Sequence, residues 1–398
     1  MRTFAIVSPT NLTFNDIIEQ DTSNTRPGFS NFLVALATVV LFLFSIILMT
    51  SSISSFGFSL SDYVIYTTSN PFIGLFIGLI ATALLQSSST TTTIVVAAVA
   101  SNTLTLQGAI PIVLGANVGT TLTSTIVSMG YITKTNEFRK AVAAGTIHDL
   151  FNIVMVLIFF PIEMKYHILE KGSRFIASSL VPRSSDSLVS NFGLTSFFAS
   201  ITEWFVGNLG SVVSLILAVV LLFASIKIIS RHLYNILIGR TKNQFETTVF
   251  SNTLRSFSWG LFITSAAQSS SLTTSLIVPL VATGKVKLHR AFQFIMGANI
   301  GTTITALIAA IFQSQTAIEI ALVHFLFNTA GVILFISIPY FSKLLVFMAE
   351  RMGQYTLRLR IVGFVYILTT FFLLPFTLIY ASKGFDAKAD DTEISLED

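Results

Sequence analysis

The sequence predicts an all-α polytopic membrane protein with two inverted-topology repeats, each containing a re-entrant helical hairpin and a broken transmembrane helix. Three observations predict this fold class. Of 398 residues, 53% are hydrophobic and 11% are charged, whereas soluble domains carry about 25% charged residues. The charges are unevenly spread, because no Asp, Glu, Lys or Arg occurs between Asp62 and Lys134. The third observation is an internal duplication, which defines the two repeats.

Charge and cysteine content exclude several classes of protein. The formal net charge of +4 could suggest a nucleic acid partner, but the positions of the basic residues argue against it. The basic residues lie in short loops between apolar spans, where they report topology, so we expect a lipid bilayer and no nucleic acid as partner. The chain has no Cys, which excludes disulfide frameworks, thiolate metal sites and cysteine nucleophiles. The sequence predicts no oligomeric state.

Two segments of 36 residues align without gaps at an offset of 182 residues, with 17 identical positions. The first begins at Gln86 and reads QSSSTTTTIVVAAVASNTLTLQGAIPIVLGANVGTT. The second begins at Gln268 and reads QSSSLTTSLIVPLVATGKVKLHRAFQFIMGANIGTT. Further along the chain, HDLFN from His148 matches HFLFN from His324. Self-similarity of this kind indicates a duplicated structural unit.

The first hairpin is predicted from length. As one helix at 1.5 Å per residue, the apolar stretch 71–101 would be about 46 Å long, which exceeds a hydrocarbon core of about 30 Å. The polar octet that begins at Gln86 lies in its middle. A re-entrant hairpin with the octet at its tip solves both problems, provided that the tip is buried in protein or lines a cavity. The duplication predicts a second hairpin over 257–283.

The next span of each copy carries the element GANVGTT from Gly115 or GANIGTT from Gly297. Two glycines and an asparagine favour an unwound point in mid-helix, and broken helices of this kind bind ions in transporters. We therefore predict broken helices over 109–131 and 291–312. The remaining spans are expected at 30–52, 141–162, 207–229, 317–340 and 361–381.

Lys and Arg in the short loops predict the orientation of the spans. The loop 101–107 is uncharged, whereas its repeat partner 283–289 carries Lys285 and Lys287, so the two copies are expected to have opposite orientations. The predicted organisation is a cytoplasmic N-terminal tail at 1–29, repeat 1 at 30–162, an extracytoplasmic loop at 163–206, repeat 2 at 207–340, a basic loop and last helix at 341–382, and an acidic C-terminal tail at 383–398.

The hairpin tips suit a dehydrated oxyanion. Neither hairpin contains a cationic residue, so the tips offer hydroxyls, amides and backbone N–H groups. Helices that begin after Gln86 and Gln268 would direct their positive dipole ends to the tips, and mobile cations would balance the charge. The alternative is that Ser, Thr and Gly only allow helices to pack closely. Duplication of the octet together with its GAN partner favours a binding site.

Oxygen ligands for a cation are predicted at the broken helices, namely Asn117, Thr120, Thr121, Asn299, Thr302 and Thr303. Asp149 is also predicted as a cation ligand. An ionised carboxylate within a membrane span costs free energy unless it is paired or hydrated, so a residue of this kind is a candidate for a functional role. The alternative is that Asp149 lies near cytoplasmic water and pairs with Lys or Arg. We interpret His148 and His324 as packing residues. Two further asparagines are either packing residues or ligands, Asn152 and Asn328.

The paired QSSS motifs, the two GAN elements and the HDLFN segment resemble the type II sodium-dependent phosphate cotransporters over about residues 30–380. The resemblance implies uptake of inorganic phosphate by alternating access, with Na⁺ as the coupling ion and no cofactor. It implies that phosphate binds at Gln86, Ser87, Ser88, Ser89, Gln268, Ser269, Ser270 and Ser271. It implies sodium near Thr120, Thr125, Asp149, Asn152 and Thr302. The short loop 163–203 without Cys is typical of a bacterial member, so the inner membrane is expected.

Three other functions stay open. The same fold could carry another oxyanion, such as sulfate or arsenate, or act as a channel. An intramembrane serine hydrolase would use one tip serine with His148 or His324. No GxSxG elbow occurs in the sequence, and an enzyme would not need two tips. We therefore expect a transporter and not an enzyme.

Overall fold

The computed structural model describes residues 29–180, 194–238 and 248–381. Within these residues the regular secondary structure is helical and no strand occurs. Seven helices among them are long and apolar enough to cross a bilayer. The predicted all-α polytopic class is therefore confirmed. The N-terminal tail and the acidic C-terminal tail of the prediction lie outside the described residues, apart from Phe29.

The helices follow the duplicated order of the sequence. Up to the end of the first copy they are α1 Phe29–Ser54, α2 Phe58–Thr68, α3 Pro71–Leu85, α4 Ser88–Ala100, α5 Leu106–Gly119, α6 Leu122–Met129 and α7 Thr135–Tyr166. Next come α8 Ile168–Leu180, α9 Leu194–Leu209 and α10 Ser211–Ile238. The second copy continues with α11 Thr253–Ala267, α12 Ser270–Ser275, α13 Ile277–Ala282, α14 Leu288–Gly301, α15 Thr303–Ala310 and α16 Gln315–Ser337. After the second copy come α17 Pro339–Arg358, α18 Ile361–Leu368 and a π-helical turn Thr369–Leu373, and helix continues beyond this turn to Ala381.

The candidate membrane spans agree with the predicted ones to within a few residues at most ends. They are Leu36–Ser54, Leu106–Met129, Thr135–Tyr166, Ser211–Ile229, Leu288–Ala310, Gln315–Ser337 and Ile361–Ala381. The first hairpin is entered through a sharp bend, because α2 and α3 meet at 104°. Asn70 fixes the start of α3 there, since its Oδ1 accepts a hydrogen bond of 3.0 Å from the N–H of Phe72 and Pro71 suits the first helical position.

At the tip of the first hairpin, two residues connect α3 to α4. Gln86 has a left-handed conformation with φ of 53°, which ends α3. Ser87 then begins α4, because its Oγ accepts a hydrogen bond of 3.2 Å from the N–H of Thr90. Close to the tip, Thr82 Oγ1 donates to Thr91 Oγ1 over 2.9 Å. The two arms therefore lie side by side where the polar octet is located.

The second hairpin repeats this geometry with one difference. Gln268 is again left-handed, with φ of 51°, and Ser269 Oγ accepts from the N–H of Leu272 at 3.3 Å. The second arm is divided into α12 and α13 because Pro279 has no N–H for the carbonyl of Ser275. Ala97 holds the equivalent position in the first copy, where α4 is continuous.

Each hairpin packs backbone to backbone against the broken helix of its own copy. A Cβ atom on Gly78 would overlap the carbonyl oxygen of Ile112, and one on Gly260 would overlap that of Phe294. No side chain fits at either position, so glycine allows the close approach of the helices. This contact positions each hairpin along the broken helix of its own copy.

The broken helices are less open than the sequence predicts. The interruption lies at Thr120 and Thr121 in the first copy and at Thr302 in the second. Thr120 has φ −65° and ψ −25° and Thr302 has φ −66° and ψ −23°, which are right-handed helical values. The N–H of Thr121 donates to the carbonyl of Val118, three residues back, over 3.1 Å. The predicted unwound point is therefore a single tight turn.

Three helices occupy stretches that the sequence predicts to be loops. Helices α8 and α9 lie in the predicted extracytoplasmic loop, and α17 lies in the predicted basic loop. Helix α17 packs against α7 and buries residues spaced by three or four, namely Ser342, Leu345, Ala349, Gly353 and Thr356. The apolar stripe of α17 is narrow, so the mean hydropathy of the helix is low and the stretch was not predicted as a span. The helical spacing of its buried residues is nevertheless clear.

Candidate functional site

The two tips hold the eight residues predicted to bind an anion. Ser88 and Ser89 are each 1% exposed and Ser270 is 2% exposed, so these hydroxyls are removed from bulk water. Gln268 is also buried, whereas its repeat partner Gln86 is exposed. Backbone N–H groups in the first turn of α4 point toward the first tip. The tips thus combine buried hydrogen bond donors with the positive end of a helix dipole.

Each tip contacts the broken helix of the other copy. Ser89 Oγ lies 3.0 Å from Thr302 Oγ1. The equivalent pair in the opposite sense is Ser271 and Thr120, whose hydroxyl oxygens are 3.1 Å apart. Reciprocal contacts of this kind arise when two units are related by a two-fold axis. The structure therefore brings together the predicted anion-binding and cation-binding residues at the contact between the copies.

A further hydroxyl pair in the same region was not predicted. Ser124 Oγ and Thr274 Oγ1 are 3.0 Å apart, and both side chains are buried. Each lies one helical turn beyond a predicted residue, Thr120 or Ser270. That spacing is the only sequence signal for them, because residues four apart share one face of a helix.

Two buried clusters of His and Asn connect the copies beside the hydroxyl pairs. In one of them, His148 Nε2 lies 2.9 Å from Asn299 Oδ1, and Asn299 Nδ2 donates to Asn152 Oδ1 over 2.8 Å. Its counterpart contains His324, Asn117 and Asn328. There Asn328 Nδ2 donates to Asn117 Oδ1 over 3.1 Å, and His324 Nε2 lies 3.3 Å from the same oxygen.

These clusters bear on four predicted sodium ligands, the asparagines that they contain. The amide groups already bond to partners in the opposite copy, so they hold the copies together in addition to any ligand role. The two histidines belong to the same contacts, in keeping with their interpretation as packing residues. Asn328 Oδ1 is the exception, because it is buried and has no hydrogen bond partner.

Two of the predicted threonines direct their hydroxyls to their own helix. Thr121 Oγ1 donates to the carbonyl of Val118 over 2.8 Å, and Thr303 Oγ1 donates to that of Ile300 over 2.7 Å. Both residues are fully buried. Their oxygen lone pairs stay free to accept, but no described hydrogen bond brings Thr303 to another predicted site residue.

Asp149 is fully buried in the middle of α7. Thr125 Oγ1 donates to its Oδ2 over 2.6 Å. Thr121 and Tyr366 also interact with the carboxylate, but its Oδ1 makes no hydrogen bond of good geometry. Among the described residues, ion pairs form at Glu137, Glu170 and Glu319 and none reaches Asp149. The alternative of a Lys or Arg partner near cytoplasmic water therefore finds no support in this part of the chain.

A second buried carboxylate shows how a structural acid differs. Glu163, which is 1% exposed, accepts hydrogen bonds at both oxygens, from the N–H of Leu169 at 2.6 Å and from that of Glu170 at 3.0 Å. Asp149 lacks this complete set of partners. Buried polar atoms are normally satisfied, so an open carboxylate oxygen in a membrane span indicates a place for a cation.

Open polar atoms recur at the predicted site residues. Four buried side-chain atoms there have no hydrogen bond partner, namely Ser88 Oγ, Gln268 Oε1, Asn328 Oδ1 and Asp149 Oδ1. The set contains one hydroxyl, that of Ser88, which could donate a hydrogen bond to an anion. The other three atoms are oxygens that suit a hard cation. Other buried hydroxyls without a partner lie outside the predicted site, such as those of Ser214 and Thr356, so the carboxylate and amide oxygens are the more informative members of the set.

The contacts do not form a serine hydrolase site. The tip serines bond to threonines, as at Ser89 and Ser271, and the two imidazole Nε2 atoms face asparagines. Among the described residues no hydrogen bond joins a tip serine to His148 or His324. The nucleophile and base contact that such an enzyme requires is therefore not formed here.

An all-helical membrane protein with two copies of one unit and a buried polar site between them has the architecture of a secondary transporter. The family model described as Na+/Pi-cotransporter matches residues 41–176 and 221–368. The chain therefore belongs to the Na+/Pi-cotransporter family, and the resemblance seen in the motifs is confirmed. This is a family of transporters and not of enzymes, as expected.

Curated proteins similar to the chain carry related names. Sodium-dependent phosphate transport protein 2B of Homo sapiens is 27% identical over 449 residues, which cover 88% of this chain and 65% of that protein. Sodium-dependent phosphate transport protein 2C of Rattus norvegicus is 30% identical, with 87% and 72% covered. The 2A protein of Rattus norvegicus is 28% identical, with 77% and 60% covered. The chain thus spans about two thirds or less of several of these relatives. No solved structure matches it.

Proposed function

We propose that the chain is a secondary transporter that couples the entry of Na⁺ to the uptake of inorganic phosphate. Family membership and the names of the relatives support the proposal. The observation that carries it is the reciprocal contact between each hairpin tip and the broken helix of the opposite copy. A site built equally from two related halves is what alternating access requires, because each half can open to one side of the membrane.

Phosphate is proposed to bind between the two tips. The anion would accept hydrogen bonds from hydroxyls, amides and backbone N–H groups, which are donors that a transporter can release. The stretches 63–133 and 256–284 contain no charged residue, so the protein supplies no fixed cation there. The proposed phosphate-binding residues are Gln86, Ser87, Ser88, Ser89, Gln268, Ser269, Ser270 and Ser271.

Sodium ions are proposed to supply the missing positive charge. Oxygen atoms of carboxylate, amide and hydroxyl groups suit a hard cation, and Asp149 provides the only carboxylate of the proposed site. No cofactor is needed, because both Na⁺ and phosphate are cargo. The proposed sodium-binding residues are Asn117, Thr120, Thr121, Thr125, Asp149, Asn152, Asn299, Thr302, Thr303 and Asn328.

The two copies are proposed to lie in opposite orientations in the bilayer. Three candidate spans separate the hairpin tips along the chain, Leu106–Met129, Thr135–Tyr166 and Ser211–Ile229. An odd number of crossings reverses direction, so this count agrees with the orientation predicted from the Lys and Arg residues. We further propose that the protein resides in the plasma membrane, as the inner membrane of a bacterium, with a cytoplasmic N-terminus.

Uptake by purified protein in proteoliposomes tests the proposed function. An inward Na⁺ gradient is expected to raise internal radiolabelled phosphate above its equilibrium level, and an equal K⁺ gradient is not. Excess unlabelled sulfate or arsenate decides whether the cargo is phosphate or another oxyanion. Uptake that persists with K⁺ in place of Na⁺ would refute coupling. Flux that never exceeds the electrochemical gradient of phosphate itself would indicate a channel.

A further inference from the structure

The Asp149 region is the part of the site that the duplication does not explain. The tips, the broken helices and the His–Asn clusters all occur twice. Asp149, in contrast, corresponds to Phe325 in the second copy, and its hydrogen bond donor Thr125 corresponds to Leu307. A carboxylate site can therefore form in the first copy only, so any additional residue of this site need not come from the repeats.

The last membrane helix, Ile361–Ala381, follows both copies and reaches this region. Gly363 packs against Met129 at the end of α6, since a Cβ there would lie 2.9 Å from the Met129 sulfur. Tyr366 is one turn further along the last helix, and Thr125 is one turn earlier on α6. Helical residues three or four apart share a face. Tyr366 therefore lies on the face that meets Thr125 and Asp149.

The Tyr366 hydroxyl interacts with the carboxylate of Asp149. Both the Tyr366 hydroxyl and Asp149 Oδ1 are buried, and neither makes a hydrogen bond of good geometry. Two open oxygens thus converge on one place, beside the Oδ2 atom that Thr125 already occupies. The Tyr366 hydroxyl therefore lies beside the carboxylate without a hydrogen bond of good geometry, in a position from which its oxygen can share a bound cation with Asp149.

The backbone of the last helix changes form just beyond this residue. A π-helical turn, Thr369–Leu373, begins three residues after Tyr366, and Phe371 within it is fully buried. Single π-helical turns within α-helices occur frequently at functional sites. Only 11% of the span is buried, and Gly363 and Phe371 are among its buried residues.

We propose that Tyr366 completes the Asp149 sodium site by contributing its hydroxyl oxygen from the last helix. The inference rests on the proposed function, because it assumes that Asp149 binds Na⁺. It makes the last helix a sodium-dependent part of the transporter. Binding of Na⁺ would draw a helix that otherwise faces lipid toward α6 and α7.

The variant Tyr366→Phe tests this, since it keeps the ring and removes the hydroxyl. The Na⁺ concentration for half-maximal phosphate uptake is expected to rise about tenfold, the effect of losing about 1.4 kcal/mol of binding free energy. The second readout is the rise in melting temperature that Na⁺ alone gives to the purified protein, which should need about tenfold more Na⁺. Tyr380→Phe is the matched control, because Tyr380 is 84% exposed on the same helix.

The double variant Tyr366→Phe with Asp149→Asn separates a ligand from a packing residue. In the Asp149→Asn background, loss of the hydroxyl is expected to cause no further shift in Na⁺ dependence, because residues of one site are coupled. A packing role would lower the melting temperature without Na⁺ and leave the Na⁺ dependence unchanged. That result, or the same Na⁺ dependence as the original protein, overturns the inference while leaving Na⁺-driven uptake intact. Failure of the original protein to take up phosphate would refute the proposed function, and the Na⁺ melting measurement would still decide the role of Tyr366.

Discussion

At the scale of single residues, the predicted site contains buried polar atoms that make no hydrogen bond, as do several hydroxyls elsewhere among the described residues. Ser88 is 1% exposed, and its Oγ has no hydrogen bond partner. Asp149 keeps one open carboxylate oxygen where the structural acid Glu163 keeps none. Such atoms cost free energy when nothing binds them, which supports the proposed ligands at Ser88 and Asp149.

Replacing Ser88 by Ala is expected to weaken phosphate binding without weakening the fold. The hydroxyl makes no hydrogen bond within the described structure, whereas one to a charged ligand contributes about 1.5–3 kcal/mol. The Michaelis constant for phosphate should rise about tenfold or more, while the melting temperature without phosphate should hardly change. Both quantities are measured on the same purified protein.

The control for this prediction is Ser337→Ala, because Ser337 is exposed at the end of α16. Its uptake should match that of the original protein. A Ser88→Ala protein that loses melting temperature but keeps its Michaelis constant would show that the serine supports packing and not phosphate.

Much of the residue-level site follows from the sequence. The tip serines, Thr120 and Asp149 were predicted from motifs and charge, and the structure places Thr120 against a tip of the other copy. Tyr366 and the pair Ser124 and Thr274 could not be predicted. Their role depends on contacts between helices that are distant in the chain. The spacing of four residues from Thr120 or Ser270 places Ser124 and Thr274 on the same helix face but does not identify the partner.

At the scale of helices, close backbone contact positions the tips. The pair α3 and α5 and the pair α11 and α14 meet at glycines, which lets the hairpin arms approach the broken helices without intervening side chains. The hairpins were predictable because a long apolar stretch with a polar middle cannot cross the bilayer as one helix. The tight turns at Thr120 and Thr302 were not, since glycine and asparagine permit both an unwound segment and a single turn.

Gly78→Ala is expected to destabilise the protein, because the new methyl group would overlap the Ile112 carbonyl oxygen. Overpacking of this kind costs about 1–3 kcal/mol or more. The melting temperature should fall and phosphate uptake should decline with it. Gly207→Ala is the control, since a Cβ at that position meets nothing within 4 Å. An unchanged melting temperature for Gly78→Ala would contradict the described contact.

The His–Asn clusters should behave as coupled cross-links between the copies. Removing either His148 or Asn299 leaves a buried polar partner unsatisfied, at a cost of about 1–3 kcal/mol. The double variant His148→Phe with Asn299→Leu should therefore lose less melting temperature than the two single variants together. Strictly additive losses would mean that the two residues do not interact.

For the whole molecule, the two-fold relation of the copies is the property from which the proposed transport follows. Ser89 with Thr302 and Ser271 with Thr120 are the same contact made twice in opposite senses. The duplication and its offset were evident in the sequence. The reciprocal pairing was not evident in the sequence, because an alignment shows which residues of the two copies are equivalent but not which residues are in contact.

Opposite orientation of the copies predicts opposite accessibility of equivalent loop residues. Thr105 and Lys287 are repeat partners, and both are exposed. The chain has no Cys, so a single introduced cysteine is the only thiol of the protein that the reagent can label. In intact cells a membrane-impermeant thiol reagent should label Thr105→Cys and spare Lys287→Cys until the membrane is opened. Equal labelling of both before opening would rule out the inverted arrangement.

The claim that sodium supplies the charge missing from the tips is tested most directly by equilibrium binding of radiolabelled phosphate to the purified protein. Titrations in Na⁺ and in K⁺ at equal ionic strength should give much tighter phosphate binding in Na⁺. By thermodynamic linkage, phosphate should strengthen Na⁺ binding by the same factor. Phosphate affinity that is the same in Na⁺ and K⁺ would contradict the claim, because the tips would then bind the anion without the cations.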